Sequence, residues 1–356
     1  MKDVVNLKIG GKIYSGWTAV SIERQLGAPS GSYSLAVSER WPGSKAVHRI
    51  APNQACQLSI DDTALITGWT DEIGPTYDAS SHSVSVRGRD RTADLVDCSA
   101  IVMGSGSWNG VSVMTIARQL LAPFGITVRS AVAETDKVLG GHSIQMGETV
   151  WECLERALRL YGVTAMSDGL GNLLLTIPGA GPALSEVRLG GTILGASGMF
   201  SGKDQFSDYW IIGQFPGTSD TYSDPRIPNG ACGHASDPTV GRYRPLIVSV
   251  ECNTSEIDFL PKRALWEAAS RAGKARSASI RVQGWRDSKG KLYQPNSMIR
   301  VEDDFLGIHE SLLISGTRFT LDDGGKAADL KLGRLGAFIA EPLPDQAPFE
   351  NSGAGQ

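Results

Sequence analysis

The sequence predicts a mainly β protein: two similar β-barrel units near the ends, with a compact α+β module inserted between them. Three observations carry this. Period-two alternation recurs towards both ends of the chain, helical spacing is strongest in the middle, and one strand-turn-strand pattern occurs twice, around Pro52 and around Pro295.

Residues 1–96 read as the first barrel. Gly16 to Leu26 holds Trp17, Ala19, Ile22 and Leu26 among polar residues, and Ser32 to Ser38 puts Tyr33, Leu35 and Val37 on one face. Cys56, Leu58 and Ile60 alternate again, and Leu65–Ile73 and Ser83–Arg89 follow, divided by Gly74-Pro75 and Asp78–Ser81. Such segments form antiparallel strands on a shared core, and closure into a barrel removes exposed edges.

Residues 97–180 read as the α+β module. Met114, Ala117, Leu120, Leu121 and Phe124 fall at helical spacing within Val111–Phe124, with Gly125 as the stop. Val150, Trp151, Leu154, Leu158 and Tyr161 do the same within Glu148–Tyr161, ended by Gly162. Val163–Met166 and Leu173–Ile177 form a hairpin around Asp168–Asn172.

Residues 181–338 read as the second barrel. Tyr209–Phe215 is apolar enough for a buried strand, Pro216–Arg244 reads as a long loop, and Leu246–Cys252 as a strand. Pro261 suits the first turn of a helix over 261–274. Strands follow at Ala278–Trp285, Ser297–Val301, Ser311–Thr320 and Ala328–Leu332. Residues 339–356 carry too little apolar surface to bury and form a flexible tail.

Bulk properties agree. A chain of 356 residues is long for one core, and 41% hydrophobic with 20% charged residues is an ordinary globular balance. The 42 glycines imply many turns, and the net charge of −4 argues against a dedicated nucleic-acid binder. No stretch approaches the roughly 20 apolar residues of a membrane span, so no membrane insertion is expected. The segment Met1–Asn6 lacks a signal-peptide core, which leads us to expect assembly in a cytoplasm. Cys56, Cys98, Cys153, Cys232 and Cys252 are odd in number and form no CxxC, so they read as free thiols.

The repeat is the most informative feature. Pro52-Asn53 leads through a strand to Asp61-Asp62, and Pro295-Asn296 leads through a strand to Asp303-Asp304. Leu65–Gly68 is then matched to Leu313–Gly316, and Arg87-Gly88-Arg89 to Leu332-Gly333-Arg334. Two like barrels per chain allow a closed trimer to place six barrels in a ring.

Several segments carry a resemblance. Gly88–Ala100, Arg263–Ala269 with Val282-Gln283-Gly284-Trp285, and Gln294–Asn296 through Leu313-Ile314 to Phe319–Asp322 together resemble the Mu-like phage contractile-tail baseplate hub family, shared with type VI secretion-like machines. The likeness covers roughly residues 1–335. It implies two tube-type barrels around an inserted domain, in a homotrimer. That trimer would join the tail tube protein to the central spike protein among other baseplate proteins. It implies a channel for passing DNA, a place in the virion tail baseplate, and assembly in the host cytoplasm. No catalytic residue and no cofactor come with it.

Gly147-Glu148-Thr149-Val150-Trp151, opening a helix, resembles the start of a LysM module, the peptidoglycan-binding unit. Gly147, Glu148, Thr149 and Trp151 are therefore candidate glycan contacts, and a peptidoglycan-binding tail module is the alternative function. The competing view is that Thr149 caps the helix while Trp151 packs inward.

Enzyme chemistry finds little support. His48, His82, His142, His234 and His309 form no HxxxH or HExxH pair, and Gly104–Ser107 lacks the phosphate-loop patterns. No GxSxG occurs. Asp61-Asp62 and Asp303-Asp304 suit turns better than a glycosidase acid pair. The sequon Asn253-Thr254-Ser255 matters only in a secreted protein. One basic run stands out: Lys262, Arg263, Arg271, Lys274, Arg276, Arg281 and Arg286 against Glu267 alone, a net +6. These residues are candidates for a positive channel wall or for ion pairs between subunits.

Overall fold

The computed structural model describes residues 3–38, 50–79, 82–214, 232–251, 259–339 and 341. His48, Cys252, the sequon at 253–255, most of the expected loop at 216–244 and most of the expected tail lie outside them.

The first unit comprises β1 (Val5–Ile9), β2 (Lys12–Tyr14), β3 (Ala19–Gln25), β4 (Ser32–Ser38), β5 (Ala55–Ile60), β6 (Thr63–Tyr77) and β7 (His82–Asp90). They pair antiparallel in the order β3-β4-β7-β6-β5-β1-β2. Alternation supplies the reason: Cys56, Leu58 and Ile60 on β5, and Val20 and Ile22 on β3, are buried while their neighbours are not.

After the short helix α1 (Asp94–Asp97) comes the module. It contains β8 (Ser107–Trp108), β9 (Val111–Ser112), α2 (Val113–Leu121), β10 (Val128–Ser130), β11 (Val138–Leu139) and β12 (His142–Ser143). Helix α3 (Val150–Arg159), β13 (Thr164–Ser167) and β14 (Leu173–Thr176) complete it. Strands β10, β14 and β13 make one sheet, and β8–β12 and β9–β11 make two small ribbons. Both helices turn the expected apolar faces inward: Val113, Ile116, Ala117, Leu120 and Leu121 share a core with Val150, Leu154 and Leu158.

The second unit comprises β15 (Val187–Arg188), β16 (Ile193–Phe200), β20 (Arg276–Gln283), β21 (Met298–Asp303), β22 (Ile308–Asp322) and β23 (Gly325–Gly333). Its order is β16-β20-β23-β22-β21-β15. This repeats the β3-β4-β7-β6-β5-β1 path of the first unit, although β15 meets β21 in parallel where β1 meets β5 antiparallel. The units also join each other, because β22 pairs with β3 to make one 13-stranded sheet. A single core runs through both, from Leu7 and Leu58 to Trp285 and Leu330.

The repeat extends to backbone detail. Asn53 donates to the Thr70 carbonyl at 2.7 Å and Asn296 to that of Ile314 at 2.8 Å, while Thr70 and Ile314 return bonds to Gln54 and Ser297. Strands β6 and β22 each carry a bulge just after these residues, and each unit closes on a three-residue 3₁₀ turn, Arg91–Ala93 and Leu335–Ala337.

This register corrects two of the sequence matches. Trp69 faces Ala55 as Leu313 faces Met298, so Trp69–Glu72, not Leu65–Gly68, is the counterpart of Leu313–Gly316. Likewise Arg87–Arg89 corresponds to Lys331–Gly333, one residue short of the expected match. Turn length and bulges set register, and a recurring Leu-Ile-x-Gly does not.

A further layer interrupts the second unit. Between β16 and β20, where the first unit has only Leu26–Gly31, lie β17 (Asp208–Gln214), β18 (Cys232–Ser236), β19 (Pro245–Glu251) and α4 (Phe259–Lys274). Their sheet, in the order β18-β17-β19, packs on α4 through Ile211, Ala235, Leu260 and Ala264. Strand β18 falls within the expected loop. Its Cys-Gly-His-Ala-Ser carries no strand propensity; instead the ladder to β17 holds it, and Gly233 lets it approach α4, since a Cβ there would sit 2.1 Å from the Leu260 carbonyl oxygen.

Candidate functional site

The junction between the two β units is the most elaborated site. Gly316–Leu321 of β22 pairs in register with Gln25–Val20 of β3. Above the ladder, Glu23 accepts from Arg318 at 3.0 Å and Lys331 at 3.3 Å. Partial burial alone raises the Glu23 carboxyl, but these two cations outweigh it and hold the group below its ordinary range. At the far side, Arg286 reaches Asp3 at 2.7 Å and Asp61 at 3.1 Å, its side chain only 16% exposed. Trp285 lies beneath, donating to the carbonyls of Thr320 and Ala327.

The joined sheet has two unlike faces. One is the core. The other carries Ser21, Ser34, Ser85, Ser277 and Ser279, with its charges paired: Arg87 with Glu72, Arg281 with Asp329, and Glu23 with its two cations. The repeat reaches this surface too. A depression of about 390 Å³ over Ser21, Ser34 and Arg87 has a counterpart of about 600 Å³ over Ser197, Ser279 and Lys331, the latter roofed by Ala337 and Phe338.

The expected basic run does not form one patch. Arg263 and Arg271 both turn to Glu267 on α4, and Arg263 also pairs with Glu341 and stacks on Trp266. Lys274 lies 6.0 Å from the Trp266 ring centre, and Lys262 is exposed. Arg276 meets Glu310 and the Phe200 ring, Arg281 meets Asp329, and Arg286 is the clamp just described. Sequence neighbours are thus spread over a helix, a strand and a junction.

The LysM-like motif is engaged in its own helix. Gly147 has φ +84°, Glu148 accepts from Arg156 at 2.8 Å, and Thr149 and Glu152 form a reciprocal capping box. Trp151 is half-buried against the module core. Below it, Cys153 Sγ lies 3.5 Å from His142 Nε2. Burial and Glu148 push the thiol up to about 12, and burial lowers the His142 imidazole, the opposite of an activated thiolate pair. Among the described residues, no cluster of three or more His, Cys, Asp or Glu could hold a metal ion, and no helix is long and apolar enough to cross a membrane.

One constellation lies outside the sequence expectations. Arg24 and Asp90 are buried charges on the core-facing positions of β3 and β7. Arg24 donates to the Ser167 carbonyl at 2.7 Å; Asp90 accepts from the amides of Gly31 and Thr67. Burial pushes the Asp90 carboxyl up to about 6, against the pull of Arg24. The pair anchors the β13–β14 hairpin to the first unit, where Thr67 Oγ1 also donates to the Gly169 carbonyl. The signal was present: Val20-x-Ile22-x-Arg24 and Val86-x-Gly88-x-Asp90 place a charge in line with inward residues.

Known proteins share this architecture. Residues 4–90 match the N-terminal domain of Mu phage baseplate assembly protein GpP-like proteins, residues 92–177 the second domain of baseplate hub protein gp44-like proteins, and residues 259–341 the fourth domain of GpP. Baseplate hub protein gp44 of Escherichia phage Mu is 31% identical over 328 residues, 91% of this chain and 85% of that protein. The 43 kDa tail protein of prophage MuSo2 from Shewanella oneidensis superimposes with a TM-score of 0.79 at 34% identity, over 95% of this chain and all of that one. A tail protein from Neisseria meningitidis MC58 gives 0.74 at 23% identity, over 96% and 99%. An E. coli type VI secretion component, described as similar to T4 tail proteins gp27 and gp5, shares the fold at 14% identity with a TM-score of 0.56, over 92% and 76%. The chain therefore belongs to the phage baseplate hub protein family that includes gp44 of phage Mu.

Proposed function

We propose that the chain works as a homotrimeric adaptor in the tail baseplate, joining the tail tube protein to the central spike protein around a channel for the genome. The observation that carries this reading is the β22–β3 junction. It fuses two matched β units, each a tube-type barrel on this proposal, edge to edge within one chain. Three such chains supply six matched units, which suits a partner of sixfold symmetry on one side and threefold symmetry on the other.

The serine-rich outer face of the joined sheet supports its assignment as the channel wall. Small hydroxyl side chains and internally paired charges give a sliding phosphate backbone no lasting hold, whereas unpaired cations would. Of the seven basic residues singled out, Arg281 stands on this face, already neutralised by Asp329. The module then braces the ring, its Gly147–Trp151 motif serving its own helix cap. Assembly in the host cytoplasm follows from the same reading. Light scattering on the purified chain, with electron-microscope class averages, tests it: a three-chain ring with six lobes is expected. A chain that stays monomeric at every concentration overturns it.

A further inference from the structure

The internal repeat carries information about an edge that the single chain leaves open. In the joined sheet, β16 pairs with β20 alone among the described strands, and its residues from Leu194 to Phe200 are exposed. Strand β6 is covered by β5 only over Thr63–Trp69; over Glu72–Tyr77 it pairs with β7 alone among the described strands. In the second unit the matching stretch of β22, Gly316–Leu321, is where β3 binds. The counterpart of β3 is β16. Each open edge is therefore the equivalent of one half of the internal junction.

We infer that β16 of one copy pairs antiparallel with Glu72–Tyr77 of β6 in the next, repeating the β22–β3 junction between subunits. This rests on the trimer reading and adds its seam and register. Transposing the internal register sets Ile73 against Phe200, Gly74 against Met199, Pro75 against Gly198, Thr76 against Ser197 and Tyr77 against Ala196. Side-chain sizes then interlock, with Met199 over Gly74, Pro75 over Gly198 and Tyr77 over Ala196. The residues that this covers are otherwise exposed: Tyr77 is 80% exposed, Met199 72% and Phe200 47%. Natural edge strands are normally guarded by charge or irregularity, and an apolar edge of this kind marks a contact site. Pro75 offers no N–H, so this seam has one donor fewer than the internal one. An edge and its complement on opposite ends of one chain form a head-to-tail contact, which closes into a ring when the rotation allows.

The test is a disulfide trap in the full-length chain. T76C/S197C, oxidised in the assembled state, is expected to shift from a one-chain band to reducible two- and three-chain bands. Neither single variant, the wrong-face pair T76C/G198C, nor the unsubstituted chain with its native cysteines does so. A trimer by light scattering that yields no trapped species overturns the seam while leaving the trimer standing. A monomer under all conditions overturns both. Hydrogen exchange on the unsubstituted chain guards against misfolding of the variants. Amides of 72–77 and 196–200 are expected to be protected like those of 316–321, and rapid exchange there in a trimer overturns the seam equally.

Discussion

Asn53 and Asn296 hold the same place in the two halves of the chain, both in the left-handed region, at φ +60° and +68°. Asn tolerates this conformation where β-branched residues do not. N53V is expected to cost about 1–2 kcal/mol by the ordinary left-handed penalty, and N53G to be nearly neutral. N296V should cost more, because its side chain also accepts from Gly179 and donates to the Ile177 carbonyl. Urea denaturation of the three variants checks the order.

Asp90 makes stability fall as pH rises from about 4 to about 6. Its carboxyl is raised from 3.8 to about 6 in the fold, so the native state binds a proton that the unfolded chain has released in this window. The contribution is complete below 3.8 and lost on passing about 6. D90N is expected to flatten this slope. R24M removes the opposing cation and the bond to the Ser167 carbonyl, so it is expected to raise the carboxyl further and to lower stability most above pH 6. Denaturation midpoints between pH 4 and 8 decide it. An unchanged slope in D90N would show that another group is responsible.

Arg286 clamps the two β units through Asp3 and Asp61. R286A is expected to lose about 1.5–3 kcal/mol, the range for charged hydrogen bonds. R286K should recover only part of it, since one ammonium does not reproduce the fork. Chemical denaturation is the measurement, and equal stability of R286A and the parent would remove the clamp.

Thr149 serves the start of α3. T149A is expected to cost about 1 kcal/mol and to leave sedimentation with purified peptidoglycan unchanged from a baseline of no specific retention. Specific retention that is abolished by W151A would instead favour glycan binding.

The outer sheet face should resist added charge. S34R/S279R is expected to slow genome delivery in tails that assemble normally, through new phosphate contacts. Reversal of Lys262 and Lys274 on α4 should leave delivery intact. The opposite pattern would move the channel wall to the helix.

Much of the fold could be read from spacing. Ser32–Ser38 and Ala55–Ile60 alternate cleanly, and both module helices show their buried faces in sequence. The repeat was visible through Pro-Asn, because a left-handed turn restricts which residues serve. Register was not, because bulges after Thr70 and Ile314 leave no compositional mark. Nor was the layer containing β18, whose strand exists through pairing and close approach to α4. The pairing of the basic run was not legible for a plain reason: acids that meet it, Asp3, Asp61, Glu310, Asp329 and Glu341, come from distant parts of the chain.

The β22–β3 ladder also constrains how the protein is made. Val20 is bonded to a strand holding Leu321, so one of the earliest strands off the ribosome waits for nearly the whole chain before its second neighbour exists. Pairings of such sequence separation form slowly and leave a sticky strand margin in the meantime. Messages cut short before β22 would therefore yield fragments prone to clumping, and quick completion of translation becomes part of the fold's success.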